Sequence, residues 1–152
     1  MEINRDWIAP CGLYCGVCAI MIADRDDNQK FKEKLCGVYN VGVEEIKCTG
    51  CMSKGEGAKF LYCRVCPIRE CVSLKGYEGC HQCDDWPCKA IDDFVMPVGK
   101  KVMARAIPQW REWGTEKYVA EEEKRYHCPS CDEPLFRGAK RCRACGEPVD
   151  VD

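Results

Sequence analysis

The first apolar pattern with helical spacing covers residues 19–35. Ile20, Phe31 and Leu35 can share one helix face there, while the aspartates and lysines between them point to water. This pattern predicts a single helix over the segment. A short turn over residues 43–47 is expected to lead into the next pair of cysteines.

Proline and glycine mark the ends of shorter helices further along. Pro67 stands where a first helical turn tolerates proline, and Gly76 stands where a helix stops, so a helix is predicted over residues 67–75. A second short helix is expected to begin at Pro87. Both predicted helices start directly beside cysteines, so they would orient those side chains.

Residues 92–125 contain no cysteine, and their apolar pattern is helical. A helix is predicted over residues 98–106, with a break at Pro108. Thr115 is a suitable N-cap for a further helix that ends near Tyr126. This segment is therefore predicted to be a helical connector.

Three aromatic side chains lie in the connector: Trp110, Trp113 and Tyr118. They could form an aromatic binding surface, or they could pack the helices onto the rest of the protein. Large aromatic rings contribute most when they are buried. We therefore favour the packing interpretation.

The amino-acid composition provides few apolar residues for a hydrophobic core. Cysteine accounts for 16 of the 152 residues, and the hydrophobic fraction of 46% includes it. Without cysteine about 36% remains, which is thin for a core that must fold alone. A structural zinc site contributes on the order of 10 to 16 kcal/mol, comparable with the net stability of a domain. Metal sites would compensate for the small core.

The cysteine spacing favours metal ligation over disulfides. Six C-x-x-C pairs are present, and each places two thiolates on one tight turn. No signal-peptide run begins the sequence, and no stretch approaches the ~20 apolar residues of a membrane span. We therefore expect a soluble cytoplasmic protein with reduced thiols. The candidate ligands are Cys11, Cys15, Cys18, Cys36, Cys48, Cys51, Cys63, Cys66, Cys71, Cys80, Cys83, Cys88, Cys128, Cys131, Cys142 and Cys145.

The first candidate site is a cup of three thiolates. Flexible glycines let Cys11, Cys15 and Cys18 converge in the sequence CGLYCGVC. Cys36 is either the fourth ligand of this cup or a buried thiol without a metal. Both interpretations stay open from the sequence.

The helix predicted over residues 67–75 divides the central cysteines between two ions. Cys66 precedes this helix and Cys71 lies within it, a rotation of roughly 140° at 3.6 residues per turn. Their sulfurs should therefore face different ions. The expected sets are Cys48, Cys51, Cys63 and Cys66 for one ion, and Cys71, Cys80, Cys83 and Cys88 for another.

The last four cysteines form two C-x-x-C knuckles with the spacing of a zinc ribbon: Cys128, Cys131, Cys142 and Cys145. Together these sets predict three to four zinc ions. Two histidines are the other soft ligands. His81 could tune or replace a thiolate, although an exposed turn residue is the simpler interpretation, and His127 could support a ligand or have no role.

Charge bears on the choice of partner. The formal net charge is −2, and four sites with four thiolates each would make the metal-loaded chain about −10. The electrostatic field of this negative charge opposes nonspecific binding to the phosphates of nucleic acid. In the ribbon, Arg137, Lys140, Arg141 and Arg143 are balanced by acidic residues, so a protein partner is favoured and nucleic-acid binding through the ribbon is the weaker alternative.

Several motifs carry a family resemblance: PCGLYCGVC, IKCTGC, CPIREC, GCHQCDDWPC and the run REWGTEKYVAEEEKRYHCPSC. With them the chain resembles domain of unknown function family 3795, a family of small cysteine-rich proteins, and the motifs cover most of its length. The resemblance implies a metal-binding domain that holds zinc, and it supplies no catalytic residue.

An iron–sulfur electron carrier or redox protein is the alternative for the N-terminal domain. Cys11, Cys15 and Cys18 match the C-x₃-C-x₂-C motif of radical S-adenosylmethionine enzymes, but no βα alternation provides their scaffold. The regular ferredoxin spacing is also missing.

We therefore predict a small metal-stabilised α+β protein, largely of short helices and irregular knuckles. Its expected parts are a cysteine-rich metal-binding domain over residues 1–95, a helical connector over residues 96–124 packed on it, and a zinc ribbon over residues 125–152. The expected function is a non-catalytic interaction module rather than an enzyme.

Overall fold

The computed structural model describes residues 2–55 and 59–152, which fold into short helices joined by 3₁₀ turns and loops. The α-helices there are α1 (Ala19–Arg25), α2 (Gln29–Tyr39), α3 (Pro67–Lys75), α4 (Lys89–Asp92), α5 (Pro97–Trp113) and α6 (Thr115–Arg125). The 3₁₀ turns are Arg5–Trp7, Cys15–Val17, Val43–Glu45, Leu61–Cys63 and Cys80–Gln82. None of the helices found in these ranges combines the length and apolar character that a membrane span requires.

The single helix predicted over residues 19–35 is wrong, because the chain forms two helices there. α1 ends at Arg25, and Asp27 then adopts a left-handed conformation with a φ of 45°. Asn28 caps α2 by accepting a hydrogen bond from the backbone N–H of Phe31 at 3.0 Å. Aspartate and asparagine side chains compete with helical hydrogen bonds, which explains the break.

The bounds of the shorter helices agree better with those predicted from the sequence. α3 has the predicted bounds and ends at Gly76, whose φ of 69° is left-handed. The helix expected from Pro87 is the single turn α4, which begins two residues later behind Cys88 as its N-cap. The turn predicted over residues 43–47 is the 3₁₀ turn Val43–Glu45.

The break predicted at Pro108 is also wrong, since α5 continues through it. A proline inside a helix costs about 3 kcal/mol, because it lacks an N–H and crowds the preceding turn. Pro108 lies on the exposed face, where water can bond to the carbonyl group left without a partner. On the opposite face Met103, Ala106 and Ile107 are fully buried, and this burial outweighs the local cost.

α6 covers almost the predicted range, but Thr115 is not its N-cap. The cap is Gly114, with a φ of 76°, and Thr115 is the first helical residue. The Thr115 hydroxyl accepts a hydrogen bond from the indole N–H of Trp110 at 2.9 Å. This contact ties the start of α6 to the end of α5.

The β component of the predicted α+β class is missing from the residues that the structure describes, where no strand is found. Isolated antiparallel bridges join Ile8 to Tyr14, His127 to Pro134 and Arg141 to Pro148. Each bridge closes a loop that carries cysteines. A knuckle of this length brings its sulfurs together without a ladder of strand hydrogen bonds.

One large apolar cluster joins the N-terminal loop, α3, α5, α6 and the C-terminal segment. Trp110 is fully buried within it, and its ring stacks on Tyr118 with the centroids 5.4 Å apart. The packing interpretation is therefore confirmed for these two rings. Trp113 is only partly buried, and the Nζ of Lys117 lies 5.2 Å from its ring centroid.

A smaller cluster packs α1 and α2 against Ile46 and Phe60. The C-terminal segment reaches this cluster through Phe136, whose ring centroid lies 5.2 Å from that of Phe31. The guanidinium of Arg143 lies 4.6 Å from the centroid of the Phe31 ring. The C-terminal segment therefore contacts both apolar clusters.

The division into residues 1–95, 96–124 and 125–152 remains a proposal. Buried residues on either side of both boundaries, such as Ile91 and Val149, belong to the large cluster. The three parts therefore share apolar packing in addition to their own cysteines.

Candidate metal centres

The four C-terminal cysteines form a compact thiol cluster. The sulfurs of Cys128, Cys131, Cys142 and Cys145 all lie within 4.8 Å of one another. The Cys128 and Cys145 sulfurs are 3.7 Å apart, and the Cys131 and Cys142 sulfurs are 3.5 Å apart. Tetrahedral zinc with Zn–S bonds of about 2.3 Å places its sulfurs about 3.8 Å apart. The donor set therefore fits a tetrahedral metal ion with soft ligands.

Two knuckles with the same backbone path hold this cluster. The Asp132 N–H donates to the Cys128 carbonyl at 2.8 Å, and the Gly146 N–H donates to the Cys142 carbonyl at 3.1 Å. Asp132 and Gly146 both have positive φ values, 63° and 78°. A repeat in the sequence signals this equivalence, the pattern C-x-x-C-x-E-P at residues 128–134 and 142–148.

Backbone N–H groups donate hydrogen bonds to the Cys142 sulfur and favour its thiolate form, which binds cations. Hydrogen bonds from the N–H groups of Cys145 and Ala144 lower the pKa of Cys142 to about 6. A backbone hydrogen bond at Glu133 lowers the pKa of Cys131, but burial and the neighbouring thiols outweigh it and raise that pKa to about 12. A metal ion bound to the four sulfurs would displace their protons.

A second group of cysteines lines a cleft of about 170 Å³ between α3 and α4. Burial, followed by the charges of Cys88 and Cys83, raises the pKa of Cys80 to about 12. The Lys75 Nζ donates to the Cys83 sulfur at 3.3 Å and to Asp85 Oδ2 at 3.2 Å. The structure thus brings one predicted ligand set to a single cleft, namely Cys71, Cys80, Cys83 and Cys88.

A third group, which we call the seven-thiol region, consists of Cys11, Cys15, Cys18, Cys48, Cys51, Cys63 and Cys66. In it the backbone N–H of Cys51 donates to the sulfur of Cys15 at 3.3 Å. The cup of three thiolates and the set with Cys51, which the sequence analysis assigned to different ions, are therefore in contact. Within residues 2–55 and 59–152, only the C-terminal cluster has three or more potential ligand atoms within 4.8 Å, so these seven sulfurs are more widely spaced.

Cys36 lies in the last turns of α2. Its half-buried side chain packs against the smaller apolar cluster, as do Cys18 and Cys48 of the seven-thiol region. Its carbonyl accepts the N–H of Val41 at 3.3 Å. Its role, as the fourth ligand of the first cup or as a buried thiol without a metal, therefore stays a prediction.

Sequence reasoning missed two arginines beside the thiols. The Arg69 Nη1 lies 3.7 Å from the Cys51 sulfur. Burial opposes the charge of Arg137, but the nearby thiols of Cys18 and Cys15 outweigh it and raise the pKa of this guanidinium. Arg137 belongs to the C-terminal segment, so only the folded chain brings it to these cysteines.

The histidines lie outside the C-terminal cluster. His81 is not the exposed turn residue that we expected, because its ring stacks on Trp110 with the centroids 3.8 Å apart, and burial lowers its pKa. The His127 Nδ1 lies 2.8 Å from the Glu123 carbonyl oxygen. Each imidazole is thus held by packing or by the backbone.

No curated protein and no solved structure matches the chain. A family model described as protein of unknown function (DUF3795) matches residues 7–93, more than half of the chain. This range contains the cleft cysteines and the seven-thiol region, whereas the C-terminal cluster lies beyond it. The chain belongs to the DUF3795 family.

Proposed function

We propose that this protein binds three to four zinc ions and works in the cytoplasm as a non-catalytic interaction module. The observation that carries the proposal is the C-terminal cluster, in which four thiol sulfurs lie within 4.8 Å of one another. Four thiolates complete the tetrahedral coordination of zinc and leave no open position for a substrate. A closed site of this kind stabilises a fold rather than activating water.

Zinc is favoured over iron by the arrangement of the donors. C-x-x-C turns suit mononuclear tetrahedral sites, and the regular ferredoxin spacing is missing. An iron–sulfur electron carrier is the alternative for the N-terminal domain. Its support is the spacing of Cys11, Cys15 and Cys18, which all belong to the seven-thiol region.

The C-terminal segment acts as a zinc ribbon in this proposal, and its partner is a protein. Its arginines are engaged within the chain: the Arg137 Nη1 donates to the Tyr14 carbonyl, the Arg141 Nη1 donates to the Gly146 carbonyl, and Arg143 lies over Phe31. Their guanidinium groups are less available to phosphates as a result. This supports protein contact over tracking of nucleic acid.

Element analysis with an anaerobic absorption spectrum tests the proposal. The chain would be produced with zinc and iron both supplied and purified without oxygen. We expect colourless protein with three to four zinc ions per chain. Stoichiometric iron and sulfide with visible absorption bands would contradict the proposal in favour of an iron–sulfur protein.

A matched variant assigns one of these ions to the C-terminal cluster. Cys145 is exposed, so Cys145→Ser removes a ligand with little effect on packing. We expect this variant to lose one zinc ion per chain. An unchanged zinc content would show that the C-terminal cluster does not hold a metal.

A further inference from the structure

The thiols of the seven-thiol region pack against two different apolar clusters, and Cys36 adds an eighth thiol beside them. The thiols in or against the large cluster are Cys11, Cys51 and Cys66. The thiols against the smaller cluster are Cys18, Cys36 and Cys48. Cys48 and Cys51 belong to one C-x-x-C pair, so the two members of a single pair pack on different clusters.

The loop that carries this pair is held by a different neighbour at each end. The N–H of Cys48 donates to Asp24 Oδ2 on α1 at 3.0 Å. The N–H of Cys51 donates to the Cys15 sulfur at 3.3 Å. Between them Gly50 has a φ of 130°, a conformation that side chains other than glycine rarely adopt. The loop therefore turns between its two cysteines and directs them to different surroundings.

The first cysteine of the third pair lies on the side of the smaller cluster. Cys63 ends a 3₁₀ turn whose Leu61 packs against that cluster. The Tyr62 hydroxyl donates to the Tyr39 carbonyl at 3.0 Å. This bond ties the turn to the end of α2, the helix that carries Cys36. Cys63 and Cys36 thus lie on segments that are held together.

The remaining members of the first and third pairs complete the division. Cys66 is the N-cap of α3 and packs against the large cluster. Cys18 is the N-cap of α1 and packs against the smaller cluster. Cys15 accepts the N–H of Cys51, which packs against the large cluster. Each of the three pairs therefore has one cysteine on the side of each cluster.

The distances between the sulfurs agree with pairs that are divided. In the C-terminal cluster, two undivided knuckles place four sulfurs within 4.8 Å of one another. Among the other cysteines that the structure describes, no three sulfurs lie this close. Rotation about χ1 between staggered positions moves a cysteine sulfur by about 3 Å, so side-chain rotation can bring thiols on one cluster to a common ion.

We propose that the seven-thiol region and Cys36 form two zinc sites, each of which takes one cysteine from every C-x-x-C pair. The site on the large cluster consists of Cys11, Cys15, Cys51 and Cys66. The site on the smaller cluster consists of Cys18, Cys36, Cys48 and Cys63. This inference rests on the proposed function and replaces the ligand sets expected from the sequence. Eight thiolates complete two tetrahedral ions without a shared sulfur.

The test is NMR of the unaltered full chain, reduced and refolded with an NMR-active cadmium isotope in place of zinc. Correlation of each cadmium with protons across the bonded sulfur identifies the cysteines that bind it. We expect Cys48 and Cys51 to correlate with different cadmium ions, and Cys36 to share the ion of Cys48.

Three results of this experiment would contradict the inference. Cys48 and Cys51 on one cadmium ion would overturn the divided pairs and leave the proposed function intact. A cadmium ion that binds Cys48 without Cys36 would overturn the site on the smaller cluster. A region that binds no cadmium would overturn both the inference and the proposed function.

Zinc counts of paired variants by native mass spectrometry provide the second measurement. We expect the double variant Cys48→Ser, Cys51→Ser to lose two zinc ions per chain, because its cysteines serve different ions. The matched control Cys18→Ser, Cys48→Ser should lose one. Undivided pairs would reverse these losses and overturn the inference. If either variant fails to fold, the cadmium correlations of the unaltered chain decide.

Discussion

Removal of the metal ions by a strong chelator at neutral pH is expected to unfold the protein. Each structural zinc site contributes on the order of 10 to 16 kcal/mol, whereas the net stability of a domain is about 5 to 15 kcal/mol. The C-terminal segment buries few apolar side chains, among them Leu135, Ala139 and Val149. Circular dichroism should show loss of most of the helical signal as the chelator is added.

The control for this experiment is the identity of the ion that is returned. Zinc should restore the helical signal under reducing conditions, whereas magnesium and calcium should not, because they prefer oxygen ligands. A chelated chain that keeps its helical signal and its cooperative thermal transition would contradict a metal-stabilised fold.

Trp110→Ala is expected to cost about 3 to 5 kcal/mol of the free energy of unfolding in the zinc-loaded protein. The indole is fully buried between His81 and Tyr118, and its N–H bonds to Thr115. Truncation leaves a cavity among α5, α6 and the turn that carries His81, and it also removes the hydrogen bond. Urea denaturation at saturating zinc measures the loss.

The matched control is Trp113→Ala on the same helix. Trp113 is partly buried, and the Nζ of Lys117 lies 5.2 Å from its ring centroid, so the expected loss is about 1 kcal/mol or less. Equal losses for the two variants would show that Trp110 is not a principal element of the core. A metal content that falls only in the Trp110 variant would indicate that its packing also positions Cys80.

Local chemistry made part of this fold predictable. Pro67 and Gly76 define both ends of α3 because proline suits a first turn and glycine adopts the left-handed conformation at a helix end. The compact C-terminal cluster followed from two C-x-x-C knuckles close in sequence, which need no distant contact to converge. Such features depend on a few neighbouring residues.

Features that depend on tertiary packing could not be predicted in this way. The sequence does not show that Pro108 lies on the exposed face of a helix whose other face is buried. The contact between Cys51 and Cys15 requires a loop folded back onto the N-terminal segment. Arg137 reaches the first cysteines only because the C-terminal segment packs beside them.

The central claim is that zinc ions in closed, all-thiolate sites hold this protein together. X-ray absorption at the zinc edge of the full, metal-loaded chain tests it most directly. We predict four sulfur neighbours per zinc at about 2.3 Å and no nitrogen or oxygen in the first coordination shell. A substantial share of nitrogen or oxygen neighbours at about 2.0 to 2.1 Å would contradict the account, since it would indicate open or histidine-bound sites.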